Sequence, residues 1–216
     1  MTVESAKKEL NHSGGLSLAE RRVIKNAIDV IYADTGADDT GYVNATDVAL
    51  TTPAGAGITD GTGTVYKSSV TTVSGGEVPI IVTRIFVDLT GLGTSTTDLD
   101  IIGTGTGDAH LGRITTAQNG VIFAGTVTCL EAPATGADDI DFYSATVATG
   151  SFDDGIAALS ETALLTAGSA WTTNEVQTLT GWPPADDYLY LCNGEAGTVG
   201  VYTAGKFLIE LKGTSL

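Results

Sequence analysis

The chain has 216 residues, 10 of them basic and 26 acidic, which gives a net charge of −16, and it contains only two Cys and two His. This composition excludes a disulfide scaffold, a Cys-rich zinc module and a His-based metal site, and the negative charge opposes binding to nucleic acid and to anionic membranes. Thr makes up about one residue in six and, with Val, Ile and Gly, favours strands and turns, so the composition predicts an all-β domain.

The charge is distributed unevenly along the chain. Residues 1–32 contain five basic and four acidic side chains, a sum of +1, so the other 184 residues hold five basic and 22 acidic side chains, a sum of −17. Such asymmetry is typical of an arm that has a different partner from the rest of the protein. A solvated helix face is the alternative interpretation.

The first predicted element is a helix that starts at Leu18. Ser17 and Glu20 have the spacing of a capping box, in which each side chain accepts a hydrogen bond from the other residue's backbone amide. The apolar residues that follow recur at three- and four-residue steps and form a stripe: Val23, Ile24, Ala27, Ile28 and Ile31. We therefore predict an N-terminal arm with one α-helix over residues 1–41 and a β domain over residues 42–216.

From residue 42 onward the chain consists of short apolar, β-branched segments separated by turn residues. Such spacing is typical of an all-β sandwich or barrel, and we predict a jelly-roll-like β-sandwich. The predicted strands cover residues 42–48, 64–71, 78–89, 109–115, 121–130, 140–146, 175–179, 187–192, 198–203 and 206–212.

Two further local predictions concern the connections. Asn119 and Gly120 form the dipeptide that favours a type I′ hairpin between two strands, and residues 157–165 predict one or two short helical turns. No apolar run reaches the roughly 18 residues of a membrane-spanning helix. The first nine residues also lack the apolar stretch of a signal peptide, so we expect a soluble protein that is synthesised in the cytoplasm.

Carboxylate clusters are the chain's only candidate metal ligands. Asp138, Asp139 and Asp141 could supply hard oxygen ligands to calcium, although they lack the spacing of a calcium-binding loop that a bidentate Glu closes. An acidic loop that keeps the protein soluble is the alternative. Calcium is therefore the one cofactor that the sequence leaves open.

Catalytic motifs are absent from the sequence. His110 has no evident Ser or Cys partner for nucleophilic catalysis, and we expect it to be structural. Cys129 and Cys192 lie in apolar segments and predict buried, reduced thiols. Trp182 precedes two prolines, so it could present an aromatic platform to a sugar ring or close one end of the core. We predict that the protein is not an enzyme.

Several segments after residue 80 resemble a group of structural proteins of tailed bacteriophages, especially those of marine and cyanobacterial hosts. The segments that carry the resemblance, in this order, are residues 83–92, 100–104, 128–133, 139–145, 188–191 and 202–211. The resemblance implies a virion component, namely a decoration (cement) protein that sits as a homotrimer on the outer surface of the capsid, with the major capsid protein as its partner.

The role of the N-terminal arm is inferred from its physical properties, because the arm lies outside the matched segments. An arm with a basic face and an apolar stripe can be ordered by a capsid surface, while a strongly acidic body stays soluble and repels nucleic acid. The residues that we predict to contact the shell are Lys7, Lys8, Arg21, Arg22, Val23, Ile24, Lys25, Ile28 and Ile31. The apolar stripe could equally pack on the protein's own sheet.

Three other functions stay open at the level of sequence. The first is a head or tail fibre-type adhesin that binds host glycans through Trp182 and nearby tyrosines. The second is a polysaccharide-degrading enzyme, since two of the 26 acidic residues could lie at the distance of about 5–9 Å that glycoside hydrolysis requires. The third is a virion component of the tail or connector.

Overall fold

The computed structural model describes residues 49–61, 63, 65–73, 79–195 and 198–215. The predicted arm, its helix, the first predicted strand at residues 42–48 and the proposed domain boundary after residue 41 all lie outside the described residues. The two-domain division therefore stays a prediction.

The described residues form a mostly β structure whose paired strands are all antiparallel. They contain ten strands, two α-helices of a single turn and one 3-10 helix. In chain order these are α1 Ala56–Thr59, β1 Val65–Val73, β2 Ile80–Asp88, β3 Gly93–Thr94, α2 Thr116–Asn119, β4 Val121–Ala134, β5 Ile140–Ala145, the 3-10 helix Ile156–Leu159, β6 Glu161–Leu165, β7 Val176–Thr178, β8 Tyr188–Asn193, β9 Gly200–Val201 and β10 Ala204–Thr214.

The larger sheet has five strands in the order β1-β2-β10-β4-β7. Its longest pairings run along β10, whose residues alternate between buried positions such as Phe207, Ile209 and Leu211 and partly exposed positions such as Leu208 and Glu210. This period of two is what a sheet with one face on the core requires. Each strand of this sheet therefore divides its side chains between an inner and an outer face.

The smaller sheet has the order β6-β5-β8, and every residue of β5 is buried. Its free edge at β8 is lined by residues 99–114. Within that segment the Ile102 amide donates to the Leu191 carbonyl at 2.9 Å, and the Leu111 amide donates to the Leu189 carbonyl at 2.7 Å. The predicted strand at 109–115 is therefore wrong as a continuous strand, because the segment makes only isolated bridges with its neighbours.

One hydrophobic core receives side chains from both sheets. Ile85, Phe207 and Ile209 from the five-stranded sheet and Phe142 and Leu191 from the three-stranded sheet are all almost completely buried. Burying a side chain of this size contributes roughly 1.5–3 kcal/mol. The core thus explains why the apolar segments predicted as strands occur where they do.

Two connections differ from their prediction. Residues 116–119 form α2. The Thr115 hydroxyl accepts from the Gln118 amide at its start, and Gly120 has a φ of 71° at its end. Asn119 and Gly120 therefore end a helical turn and do not form a type I′ hairpin. The helical turn predicted within 157–165 exists only as the 3-10 helix, and β6 follows it after Ser160.

Candidate functional site

The residues predicted to bind a partner, from Lys7 to Ile31, lie outside the described residues, so their role stays a prediction. The other predicted site residues and the surfaces of the two sheets are described. Among the described residues, no helix is long and apolar enough to span a membrane.

The three aspartates predicted as calcium ligands do not converge. Asp138 is exposed, whereas Asp139 and Asp141 are buried. Asp141 accepts a hydrogen bond from the Ala167 amide at 2.7 Å, and one carboxylate oxygen of Asp139 is buried without a hydrogen bond to any described residue. Within the described ranges, no group of three His, Cys, Asp or Glu side chains could hold a metal ion. Calcium binding remains a prediction.

Three buried carboxyl groups are perturbed chiefly by desolvation. Burial raises the pKa of Asp141 to about 6 and also raises the pKa of Asp139 and of Asp187. The Ser144 hydroxyl donates to Asp187 at 2.8 Å and partly offsets that effect. Asp141 and Asp187 each have a hydrogen-bonding partner of their own, and the negative charge of Asp139 also contributes to the raised pKa of Asp141.

His110 packs among aromatic rings. Its ring centroid lies 5.0 Å from that of Tyr188 and 6.4 Å from that of Tyr190, and burial lowers the pKa of the imidazole. The Nδ1 atom is buried and has no hydrogen bond to a described residue. These surroundings favour the neutral form of the imidazole, and among the described residues no hydroxyl or thiol is hydrogen-bonded to its Nδ1 atom.

The two tryptophans have different environments. Trp171 is buried, and its Nε1 atom donates to the Ile140 carbonyl at 2.8 Å. Trp182 is 41% exposed. Arg113, which lies beside β8, forms an ion pair with Asp186 at 3.0 Å, and its guanidinium carbon lies 5.5 Å from the centre of the Tyr188 ring. Trp182 is thus the tryptophan available to a ligand.

The outer face of the five-stranded sheet differs most from the rest of the described surface. The strand register places its side chains in rows across the sheet. The first row contains one residue from each strand, namely Lys67, Phe86, Leu208, Thr128 and Val176. The next row contains Ser69, Arg84, Glu210, Thr126 and Thr178. A third row contains Thr71, Val82, Lys212 and Ala124, and a fourth contains Val73, Ile80, Thr214 and Val121.

Basic residues are concentrated on this outer face. Residues 49–216 contain five basic and 18 acidic residues. The outer face carries four of these basic residues, Lys67, Arg84, Lys206 and Lys212, and three of the acidic residues, Asp88, Glu131 and Glu210. Its charge is therefore close to neutral, while one basic and 15 acidic residues remain for every other part of residues 49–216.

Ion pairs organise the charges of the outer face. Glu210 accepts from Arg84 at 3.0 Å and lies 3.3 Å from the Lys212 Nζ atom. Lys206 pairs with both Glu131 and Asp88, and its bond to Glu131 raises the pKa of the lysine. Each of these pairs joins neighbouring strands or positions on one strand, so the charges largely neutralise one another within the face.

Large apolar side chains are exposed on the same face. The row at one end of the sheet presents Val73, Ile80 and Val121. Beside it, the pairing of β4 with β10 shifts by one residue at Phe123, which is 47% exposed. At the β7 edge, Val176 is 59% exposed. Several large apolar side chains exposed on one face often mark an interaction site. The outer face is therefore the candidate functional site.

The sequence analysis did not predict this face, although the alternation of residues along β10 contains part of the pattern. Lys206, Leu208, Glu210 and Lys212 alternate with three buried apolar residues, and this pattern predicts an outward row along β10. The cross-strand neighbours, however, are contributed by β1, β2 and β4, which are distant in sequence. Only the strand register brings the four cations together.

Comparisons of the chain with known protein families, with curated proteins and with solved structures gave no match. The resemblance to phage structural proteins therefore stays a prediction.

Proposed function

We propose that the protein is a non-enzymatic structural component of a phage virion, a decoration protein that stabilises the capsid from outside. In this proposal the β domain is a jelly-roll-like sandwich, the chain associates as a homotrimer, and the major capsid protein is its partner. The sequence segments that resemble phage structural proteins support the proposal, and most of them lie on strands of the two sheets, namely β2, β4, β5, β8 and β10.

The observation that carries the proposal is the distribution of charge over the described residues. Of the 18 acidic residues in the segment 49–216, 15 lie away from the one nearly neutral, partly apolar sheet face. A strongly acidic surface keeps closely spaced copies soluble and repels nucleic acid. A single neutral face then restricts protein contacts to one side, which suits a protein that works by its position in an assembly.

Attachment to the shell is assigned to the N-terminal arm in this proposal. Its five basic side chains and apolar stripe can bind an acidic, partly apolar groove on the major capsid protein. If three copies associate, each further arm binds at a high effective concentration. The avidity of the trimer can therefore exceed that of one arm by about 10²–10⁴.

The test uses capsids assembled from the major capsid protein of the same genome. Full-length protein is added, and occupancy is measured by co-sedimentation and by particle reconstruction. We expect density on the outer capsid surface, and we expect a chain without residues 1–33 to lose most of its occupancy. Substitution of Lys7 and Lys8 by Ala should weaken binding, whereas the control Arg113→Ala should not. Unchanged occupancy of the shortened chain would remove the arm from the mechanism, and no binding by the full chain would overturn the proposal.

The exposure of Trp182 favours one second candidate, a glycan-binding adhesin on the head or tail. An exposed indole ring can stack on a sugar, and Pro183 and Pro184 follow it directly. This function predicts glycan-array binding that Trp182→Ala abolishes and that the control Val199→Ala, at another exposed apolar residue, leaves intact. No binding to any glycan would exclude it.

A further inference from the structure

We infer that the outer face of the five-stranded sheet is the surface through which one copy of the chain contacts a second copy. This inference names a self-contact surface of the chain, and because the proposed function requires copies to associate, it rests to that extent on the proposed function. Its argument uses only the charge, exposure and dimensions of the face.

The first step concerns electrostatic repulsion between copies. Residues 49–216 carry a net charge of −13, from five basic and 18 acidic residues, so most surfaces of two copies repel each other. Because salt screens charges over about 8 Å at physiological ionic strength, the local charge of the two touching surfaces decides the repulsion. With four cations and three anions on the outer face, two copies can approach across it at little electrostatic cost.

The second step concerns charges that would be buried by contact. Burying an unpaired charge is costly, but Glu210 already pairs with Arg84 and Lys212, and Lys206 already pairs with two carboxylates. These charges can lose water while they keep their partners. The face can therefore enter an interface without leaving these ions uncompensated.

The third step concerns the apolar surface that drives association. Val73, Ile80 and Val121 lie in one row across the sheet, and Phe123 lies beside that row. Val176 extends the apolar surface to the opposite edge. The apolar side chains thus lie at one end and at the β7 edge of the face, and the ion pairs of Arg84, Glu210 and Lys212 lie between them. Exposed aromatic and aliphatic side chains of this kind are enriched in protein–protein interfaces.

The dimensions of the face are adequate for a specific contact. Four of the five strands have at least nine residues, whereas β7 has three. Four strands that are each about 4.8 Å wide and about nine residues long, at roughly 3.4 Å per residue, cover about 19 by 30 Å, or about 600 Å² of flat area. A standard interface buries about 800 Å² on each partner. Side-chain relief adds to the flat area, so contact across this face reaches the size of a moderate, specific interface.

The test is the mass of the full-length chain in solution, measured by sedimentation velocity over a range of concentrations. We expect self-association that Phe123→Asp and, separately, Val176→Asp weaken at least tenfold, because each substitution places a carboxylate at the contact. The matched control is Val201→Asp, since Val201 lies on β9 outside this sheet and is 60% exposed, nearly the same as Val176 at 59%. We expect the control to associate like the unchanged chain.

Each outcome has a defined meaning. A monomer at every concentration overturns the inference, and so does equal weakening by the control. Loss of the far-ultraviolet circular dichroism of the folded chain in Phe123→Asp would show that this residue is needed for folding, and Val176→Asp, on the short edge strand, then decides. A face covered by another part of the same chain would give a monomer that both variants destabilise, which also overturns the inference. Because capsid binding is measured separately, a chain that self-associates but binds no capsid would refute only the proposed function.

Discussion

Trp171 joins the three-stranded sheet to the five-stranded sheet through two contacts of its side chain. Its Nε1 atom donates to the carbonyl of Ile140, the first residue of β5, at 2.8 Å. Its ring meets the ring of Phe207 on β10 edge to face, with the centroids 5.4 Å apart. A residue outside every strand thus connects the three-stranded sheet to the five-stranded sheet, and its indole group is a structural element of the core.

The first prediction is that Trp171→Phe lowers the free energy of unfolding by about 1–3 kcal/mol. The substitution leaves the buried Ile140 carbonyl without this donor and opens space beside Phe207. Urea unfolding measures the effect. The control is Trp182→Phe at the exposed tryptophan, which should change stability by less than about 0.5 kcal/mol. Equal effects at the two positions would contradict the structural role of Trp171.

Most of the larger sheet was predictable from sequence because its strands alternate apolar and polar residues or form long apolar runs. The predictions at 64–71, 78–89 and 206–212 overlap β1, β2 and β10. The prediction at 109–115 was wrong because Gly112, with a φ of 125°, interrupts the extended backbone. β6 was missed because Glu161–Leu165 has the composition of a helical turn, and only its pairing with β5 makes it a strand.

The second prediction concerns Asn119, where a local motif was misinterpreted for a tertiary reason. Its side chain is buried, accepts from the Thr115 amide at 2.8 Å and donates to the Thr83 hydroxyl on β2 at 2.8 Å. These bonds tie α2 to the sheet, and the dipeptide pattern of a hairpin contains no information about them. We expect Asn119→Ala to lower the free energy of unfolding by about 2–4 kcal/mol, because the buried Thr83 hydroxyl and the half-buried Thr115 amide lose their partner.

The control for Asn119 is Thr116→Ala in the same helical turn. Thr116 is exposed, so its substitution should change stability by less than about 0.5 kcal/mol. Thermal or urea unfolding followed by circular dichroism distinguishes the two variants. A stable Asn119→Ala protein would mean that the hydrogen bonds of this side chain are dispensable.

The third prediction is that both cysteines resist labelling in the folded protein. Cys129 and Cys192 are buried and are not joined in a disulfide. Burial raises the pKa of Cys129 to about 11 and that of Cys192 well above its ordinary value. Since the thiolate is the reactive form, a thiol reagent at pH 8 should modify neither residue in native buffer and both in denaturant. Rapid labelling of either cysteine in native buffer would contradict this burial.

The candidate site was less predictable than the fold because its residues become neighbours only through strand pairing. Arg84 and Glu210 are 126 positions apart in sequence, yet they form an ion pair at 3.0 Å. The order β1-β2-β10-β4 cannot be deduced from alternation alone, since many sheet orders satisfy the same pattern. The basic residues of the arm are close together in the sequence and can be recognised there as a cluster, whereas the basic residues of the outer face are far apart in the sequence.

The fourth prediction is that Asp141 makes the folded protein less stable at neutral pH than at mildly acidic pH. Burial raises the pKa of this carboxyl from 3.8 to about 6, so the folded state binds the proton more tightly than the unfolded state does. The cost of ionising it in the folded state is absent below pH 4, grows as the pH rises from about 4 to 6, and is fully present above about pH 6. Asp141→Asn removes this cost, since the amide oxygen can still accept from Ala167.

The measurement for Asp141 is the free energy of unfolding between pH 4 and pH 8 for the unchanged chain and for Asp141→Asn. We expect the variant to gain on the order of 1–3 kcal/mol relative to the unchanged chain at pH 7–8 and to lose that advantage near pH 4. The comparison with the variant is needed because burial also raises the pKa of Asp139 and of Asp187, so the pH dependence of the unchanged chain is the sum of several carboxyl groups.

The control Asp138→Asn removes an exposed carboxylate three positions away, and its free energy of unfolding should follow that of the unchanged chain within about 0.5 kcal/mol at every pH. A difference between Asp141→Asn and the unchanged chain that does not vary with pH would show that the Asp141 carboxyl does not titrate in this range.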